Sequence, residues 1–184
     1  MTNINVQHNI VQKITNNADL EKLTEIITDI IGEPCWEARM SYGDELCLEI
    51  GERIPILHRL MKGKEQGAWM LGTRGTDWQL ESSIKEIITN SKEAPEVFKE
   101  KVKVIENTTI TAFETHYPDL ILTVQFSNGC NLKIFPDLED DFDLSYWELF
   151  TPYHTLLTLE PGAIWTCTRT DVQLTVNKFN RDFE

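Results

Sequence analysis

The densest set of potential ligands in the chain is an acidic run. Asp137, Glu139, Asp141, Asp143 and Glu148 stand at positions 1, 3, 5, 7 and 12 of a calcium-binding loop, with apolar Leu144 at position 8. Alternating oxygens with a distant bidentate glutamate are what a large, hard cation needs. The match fails at position 6, where the sharp turn demands glycine and the chain has Phe142, and a proline, Pro136, precedes the run instead of a helix. The run therefore reads as a solvated acidic loop that meets a basic partner, and no metal or cofactor is expected. Two arginines, Arg74 and Arg169, recur in matching Thr-Arg elements, each followed closely by an aspartate, Asp77 and Asp171. A guanidinium suits bidentate recognition of a carboxylate or phosphate, so Arg74 and Arg169 are the candidate residues for an anionic ligand. The competing reading, an Arg–Asp pair securing the end of a hairpin, is the more ordinary sheet chemistry and is preferred. Glu37 and Glu114 fall at equivalent places in two similar segments, and paired carboxylates can do acid–base work. No serine or cysteine shares a local motif with a histidine, and there is no glycine-rich phosphate loop, HExxH or GxSxG. The chain is expected to be non-catalytic, a hydrolase being the less favoured reading.

The elements that would carry these residues repeat. Gly67 to Leu80, with Trp69, Thr73-Arg74 and Asp77, returns as Gly162 to Leu174, with Trp165, Thr168-Arg169 and Asp171. Upstream, Trp36-Glu37, Leu46-x-Leu48-x-Ile50 and Ile54-x-Ile56 are echoed by Phe113-Glu114, Leu122-x-Val124-x-Phe126 and Leu132-x-Ile134. Matching blocks in one order, roughly 75 to 95 residues apart, argue for two copies of one unit. Each copy reads as an antiparallel meander with one wet face. In the first, Leu46, Leu48 and Ile50 alternate with Glu45, Cys47 and Glu49, and Gly51-Glu52 turns the chain; in the second, Asn128-Gly129 is the turn. Ahead of the first copy, Asn17 can cap a helix carrying Leu20, Leu23, Ile27 and Ile30, stopped by Gly32 and Pro34. Between the copies, Ser82 or Ser83 opens a helical region with Ile84, Ile87 and Ile88 on one side, and Pro95 starts a further turn through Phe98. The expected fold is α+β and β-rich: two tandem meander copies related by a pseudo-twofold axis, with an N-terminal helix and a helical connector. The boundaries are 1–81 for the helix and first copy, 82–108 for the connector, and 109–184 for the second copy with an acidic insert at 136–161.

Of the 184 residues, 30 are acidic and 17 basic, a formal charge of −13. Such a field repels phosphate backbones and anionic lipid and attracts basic partners, so neither nucleic acid nor a membrane is an expected partner. The four cysteines form no CxxC pair and read as buried, reduced thiols. The first residues lack the basic start and apolar core of a secretory signal, and a cytoplasmic location is expected. Of the five tryptophans, Trp36, Trp69, Trp78 and Trp165 fall in the repeated strands and read as core. Trp147 lies in the insert beside the acidic run and is nominated for partner contact. In a homodimer, the alternative assembly, the acidic insert of one copy would meet Arg59, Lys62 and Lys64 of another.

The segment Gly67 to Leu80 and the run Trp147-Glu148-Leu149, in an acidic chain, resemble the small acidic immunity proteins of bacterial polymorphic or contact-dependent toxin systems. The resemblance implies a protein that binds one cognate toxin, commonly a basic nuclease, and blocks its active site. On this reading the partner-binding residues are Asp137, Glu139, Asp140, Asp141, Asp143 and Trp147. The alternative is a small-molecule binding protein with its pocket between the two copies, at Arg74 and Arg169.

Overall fold

The computed structural model describes residues 9–41, 43–56, 62–82, 87–139 and 144–171. Twelve strands form one antiparallel sheet. They are β1 (Ile10–Lys13), β2 (Pro34–Met40), β3 (Leu46–Pro55), β4 (Glu65–Thr73), β5 (Asp77–Glu81), β6 (Ile87–Asn90), β7 (Thr108–Glu114), β8 (Leu122–Phe126), β9 (Asn131–Phe135), β10 (Trp147–Thr151), β11 (Thr155–Glu160) and β12 (Ile164–Arg169). Their order across the sheet is β1-β12-β11-β10-β4-β3-β2-β7-β8-β9-β5-β6. Only two residue pairs, Pro34 with Thr109 and Cys35 with Thr108, join β2 to β7, so this seam divides the sheet into a seven-stranded and a five-stranded half. The fold is thus β-rich, with two short helices, α1 (Glu21–Ile27) and α2 (Pro95–Lys101). No helix among the described residues is long and apolar enough to cross a membrane.

Period-two alternation builds the seven-stranded half. Ala38, Leu48, Leu71, Leu149, Leu157, Cys167 and Ile10 are successive cross-strand neighbours, one from each strand, and all but Ile10 are buried. The next row on the opposite face is Arg39, Cys47, Gly72, Glu148, Thr158, Thr166 and Val11. A one-residue slip would exchange the two rows, which is why the register is firmly set. The leucine row is covered by α1 and the 3₁₀ turns at its ends, which supply Leu20, Leu23, Ile26, Ile27 and Ile30 to the same core. Trp165 Nε1 donates to Asp19 O at 2.9 Å, tying β12 to the helix start. The cap is Asn16, one residue before the expected Asn17, and the Asp19 carboxylate accepts from the N–H and hydroxyl of Thr15. On the other half, α2 begins at Pro95 as expected and sets Phe98 edge-on against Trp78, with ring centroids 5.8 Å apart.

Several expectations are corrected. Gly51-Glu52 is not a turn: β3 runs straight through it, with a bulge between Ile50 and Arg53. Gly67 lies opposite that bulge, so close that a Cβ there would come within 2.4 Å of Ile50 N and of Trp69 O, and the glycine lets the two backbones stay paired. Nor has the first part of β3 a wet face, since Cys47 and Glu49 are buried along with Leu46, Leu48 and Ile50, and exposure begins only at Glu52. In the second meander Asn128-Gly129 does form the turn, with Gly129 N–H bonding Phe126 O at 2.9 Å. Ile87 and Ile88 are not helical. They belong to edge strand β6, where Gln79 pairs with Asn90 and Leu80 with Thr89, and the β-branched run takes up the ladder left open on β5. Finally, the second part of the segment read as an acidic insert is sheet, β10 and β11. Its β10–β11 hairpin is wedged between β4 and β12.

Candidate functional site

The strand order forces the chain to cross between the halves at two places that lie side by side. β4 ends the seven-stranded half's share of the first meander, and residues Arg74 to Thr76 carry the chain to β5, which pairs with β9 in the other half. The return crossing leaves β9 at Phe135 and re-enters at Trp147 beside β4. Arg74 N–H bonds Tyr146 O at 3.2 Å, joining the two crossings directly.

Between the crossings is a cavity of about 550 Å³, lined by Arg74, Gly75, Thr76, Asp77, Phe135, Pro136, Asp137, Leu144 and Tyr146. One part of its wall is apolar: Phe135 and Pro136 are half-buried, Tyr146 is buried, and Leu144 stands 58% exposed. Tyr146 donates its hydroxyl hydrogen to Asp137 O, fixing the ring. The charges are unequal. The Arg74 guanidinium is held by Glu148 at 2.9 Å and Glu45 at 3.4 Å, and the Glu148 hydrogen bond, ahead of all else, makes its proton harder to remove. Asp77 meets exposed Lys92 at 2.6 Å and accepts from Ser91 Oγ at 3.1 Å. Asp137 and Glu139 are exposed and have no ion-pair partner among the described residues; the Asp137 carboxylate accepts the N–H of Glu139, closing its own turn. At and beside the cavity, Glu45 and Glu148 hold Arg74, Asp77 meets Lys92, and Asp137 adds a fourth carboxylate to these two cations. The arrangement can hold an apolar stem while offering anionic oxygens to whatever that stem carries.

The residues nominated from sequence fare unevenly. Asp137 lines the cavity and Glu139 is next to it in the same turn; Asp140, Asp141 and Asp143 lie outside the described residues. Trp147 is not a surface anchor. It is 0% exposed, because β10 points it, with Leu149, into the leucine-faced core. Its Nε1 and that of Trp36 find no hydrogen-bond partner among the described residues. Glu148, position 12 of the calcium pattern, is engaged with Arg74 and Ser145. Arg74 and Arg169 are not brought together. Trp147 pairs with Thr73 and Thr155 with Arg169, so the two arginines stand at opposite ends of the seven-stranded half, three strands apart. Arg169 bonds Asp171 at 2.8 Å, but the matching pair expected to secure a hairpin at Arg74 is not what holds that residue: Arg74 is bound by Glu148 and Glu45, Asp77 meets Lys92, and β4 and β5 are not neighbours in the sheet. Glu37 and Glu114 run away from each other at opposite ends of the β2–β7 seam. Glu37 sits near Arg39 and Glu114 near His116. Lys62 and Lys64 are exposed, while Arg59 is outside the described residues.

What the sequence reading missed are the partners that make the site: Phe135, Pro136, Leu144 and Tyr146 as walls, and Glu45 as the second hold on Arg74. A second feature, on the face of the sheet that carries Arg39, Cys47 and Glu148, also went unread. Glu49 is 2% exposed, yet it is satisfied by Arg39 Nη2 at 2.8 Å and by the Gly67 N–H at 2.7 Å, so a buried carboxylate bridges β2, β3 and β4. The thiols beside this cluster are held as neutral groups. Burial pushes Cys35 up to about 12, with the Glu106 charge adding to it, and burial pushes Cys47 up to about 11. Comparison of the chain with protein-family models, with curated proteins and with solved structures finds no match in any of the three.

Proposed function

We propose that the protein is a non-catalytic, cytoplasmic interaction module of the immunity type, which binds and neutralises a basic toxin or enzyme through its acidic surface. One observation carries the reading: Asp137, a carboxylate with no ion pair among the described residues, lines a cavity with Phe135, Pro136, Leu144 and Tyr146 where the chain crosses the sheet, and Glu139 is in the same turn, in a molecule of net charge −13. Charge of one sign raises the rate at which an oppositely charged protein arrives, and an adjoining apolar hollow gives an anchor somewhere to sit after arrival. Trp147 plays no part in this account; the cavity takes the role of anchor. An anionic small molecule is the weaker reading, because Arg74 is already matched by two glutamates and Arg169 is remote.

The test is capture of the partner from the native cell lysate, followed by expression of that partner alone and together with this chain. A basic partner that arrests growth, with arrest relieved by co-expression, supports the proposal. An acidic partner, or one harmless on its own, refutes it. With a partner in hand, neutralising Asp137, Glu139, Asp140, Asp141 and Asp143 should slow association about tenfold or more at low salt and far less at high salt.

We also infer that the scaffold arose by duplication. The support is that β2-β3-β4 and β7-β8-β9 are both consecutive meanders, running outward from the antiparallel β2–β7 seam. The matched β4 and β12 stand at unlike places, one between β3 and β10, the other between β11 and β1, so the inference concerns the meanders.

A further inference from the structure

We propose that the cavity between the two crossings is a socket for one arginine side chain presented by a protein partner, a refinement that rests on the interaction reading above. Three features of the cavity converge on a guanidinium. Its apolar members, Phe135, Pro136, Leu144 and Tyr146, suit the aliphatic stem, and half-buried Phe135 is an aromatic ring of the kind on which a planar cation stacks. Two of its polar positions, Asp77 and Asp137, are carboxylates, which accept the fork of N–H donors that arginine carries; Asp77 already meets exposed Lys92, so Asp137 is the acceptor with no ion-pair partner among the described residues. The one cation in the lining, Arg74, does not oppose a visitor strongly, since Glu45 and Glu148 both hold it from the side. An anionic visitor would instead face Asp77 and Asp137 in the lining, with Arg74 already held by two glutamates. At about 550 Å³ the cavity is in the range of true ligand sites and has room for a long side chain together with part of the turn that delivers it.

The probe is Nα-acetyl-argininamide, titrated into the full chain and followed by amide chemical shifts, with Nα-acetyl-citrullinamide as the neutral isostere. Saturable shifts at Gly75, Thr76, Asp77 and Tyr146 are expected with the arginine compound, and binding of the citrulline compound should be weaker by about tenfold, as loss of one cationic contact implies. Leu144→Lys places a cation at an exposed lining position without touching the core, and Asp137→Asn removes one charge while keeping the turn; each should weaken the arginine probe several-fold with the rest of the spectrum unchanged. Absence of saturable shifts, equal binding of citrulline, or indifference to both variants would overturn the proposal. Its fate is separable from that of the interaction reading. A basic partner that binds the Leu144→Lys variant as tightly as the parent removes the socket and leaves the interaction. Saturation by the arginine probe with no basic partner captured removes the interaction and leaves the socket.

Discussion

Replacement of Arg39 by methionine tests the physical account of the sheet most directly. Methionine keeps the length and apolar character of the stem while removing the charge that faces Glu49. Glu49 is 2% exposed and its two carboxylate oxygens are used by Arg39 and by the Gly67 N–H, so the variant leaves a buried anion with one hydrogen bond. Removing one member of a fully buried pair costs about 3–5 kcal/mol. The Arg39 side chain is 43% exposed, so water can take over part of its role, and the expected cost falls to about 2 kcal/mol. For a chain of this length that is a drop in Tm of roughly 4–8 °C. Glu49→Gln removes the charge but retains an oxygen for the Gly67 N–H, and should cost about 1 kcal/mol. With both changes together no buried charge is left unmatched. The double variant should lose about 1.5 kcal/mol, which makes the coupling between the two sites about 1.5 kcal/mol. Urea unfolding followed by tryptophan fluorescence reads all four corners of the cycle. An Arg39→Met protein that unfolds at the parent midpoint, or a double variant whose loss equals the sum of the singles, would refute the argument.

Two glycines on the same strand should respond in opposite ways. Gly67→Ala drives a Cβ into the backbone of Ile50 and Trp69 and should cost about 3 kcal/mol or more, while Gly72→Ala meets nothing within 4 Å and should change the urea midpoint little. Alkali should destabilise the protein between about pH 9 and pH 12. Buried Cys35 and Cys47 stay protonated in the fold up to about 12 and about 11, whereas unfolded thiols ionise near 9.0, so their contribution is complete below pH 9 and is lost as the pH climbs through the folded values. Melting temperatures of the parent and of a Cys35→Ala/Cys47→Ala variant across that range check it; the two curves should converge at high pH.

The local part of the fold was legible because it rests on short-range chemistry. The helix over 20–30, the start of α2 at Pro95 and the Asn128-Gly129 turn each follow from a cap, a ring constraint or a positive φ that a few neighbouring residues dictate. Turn chemistry misled at Gly51, where the same conformational freedom serves a bulge, and only the approach of Gly67 from another strand tells the two apart. Trp147 was misread for a related reason. Trp147, Leu149 and Thr151 alternate as a buried strand should, but Phe150 interrupts the pattern and the acidic run alongside suggested a surface. The candidate site itself could not be read locally at all. Asp137 and Glu139 were legible as charge, but the cavity exists because Thr73 pairs with Trp147 and Asp77 with Phe135, contacts between residues far apart in the chain. No periodicity encodes such a partner.

That β1 pairs with β12, and β4 with β10, bears on how the molecule is made. A nascent chain emerging from the ribosome can complete the β2–β3–β4 meander early, but the edge of β4 stays unsatisfied until Trp147 to Thr151 have been synthesised, and the first strand waits for Ile164 to Arg169. During that interval Met70 and Leu71 lack their cross-strand neighbours Phe150 and Leu149. Stalled or prematurely terminated chains should therefore be sticky, and a chaperone that shields strand edges should raise the yield of full-length protein more than it raises the yield of the second meander expressed alone.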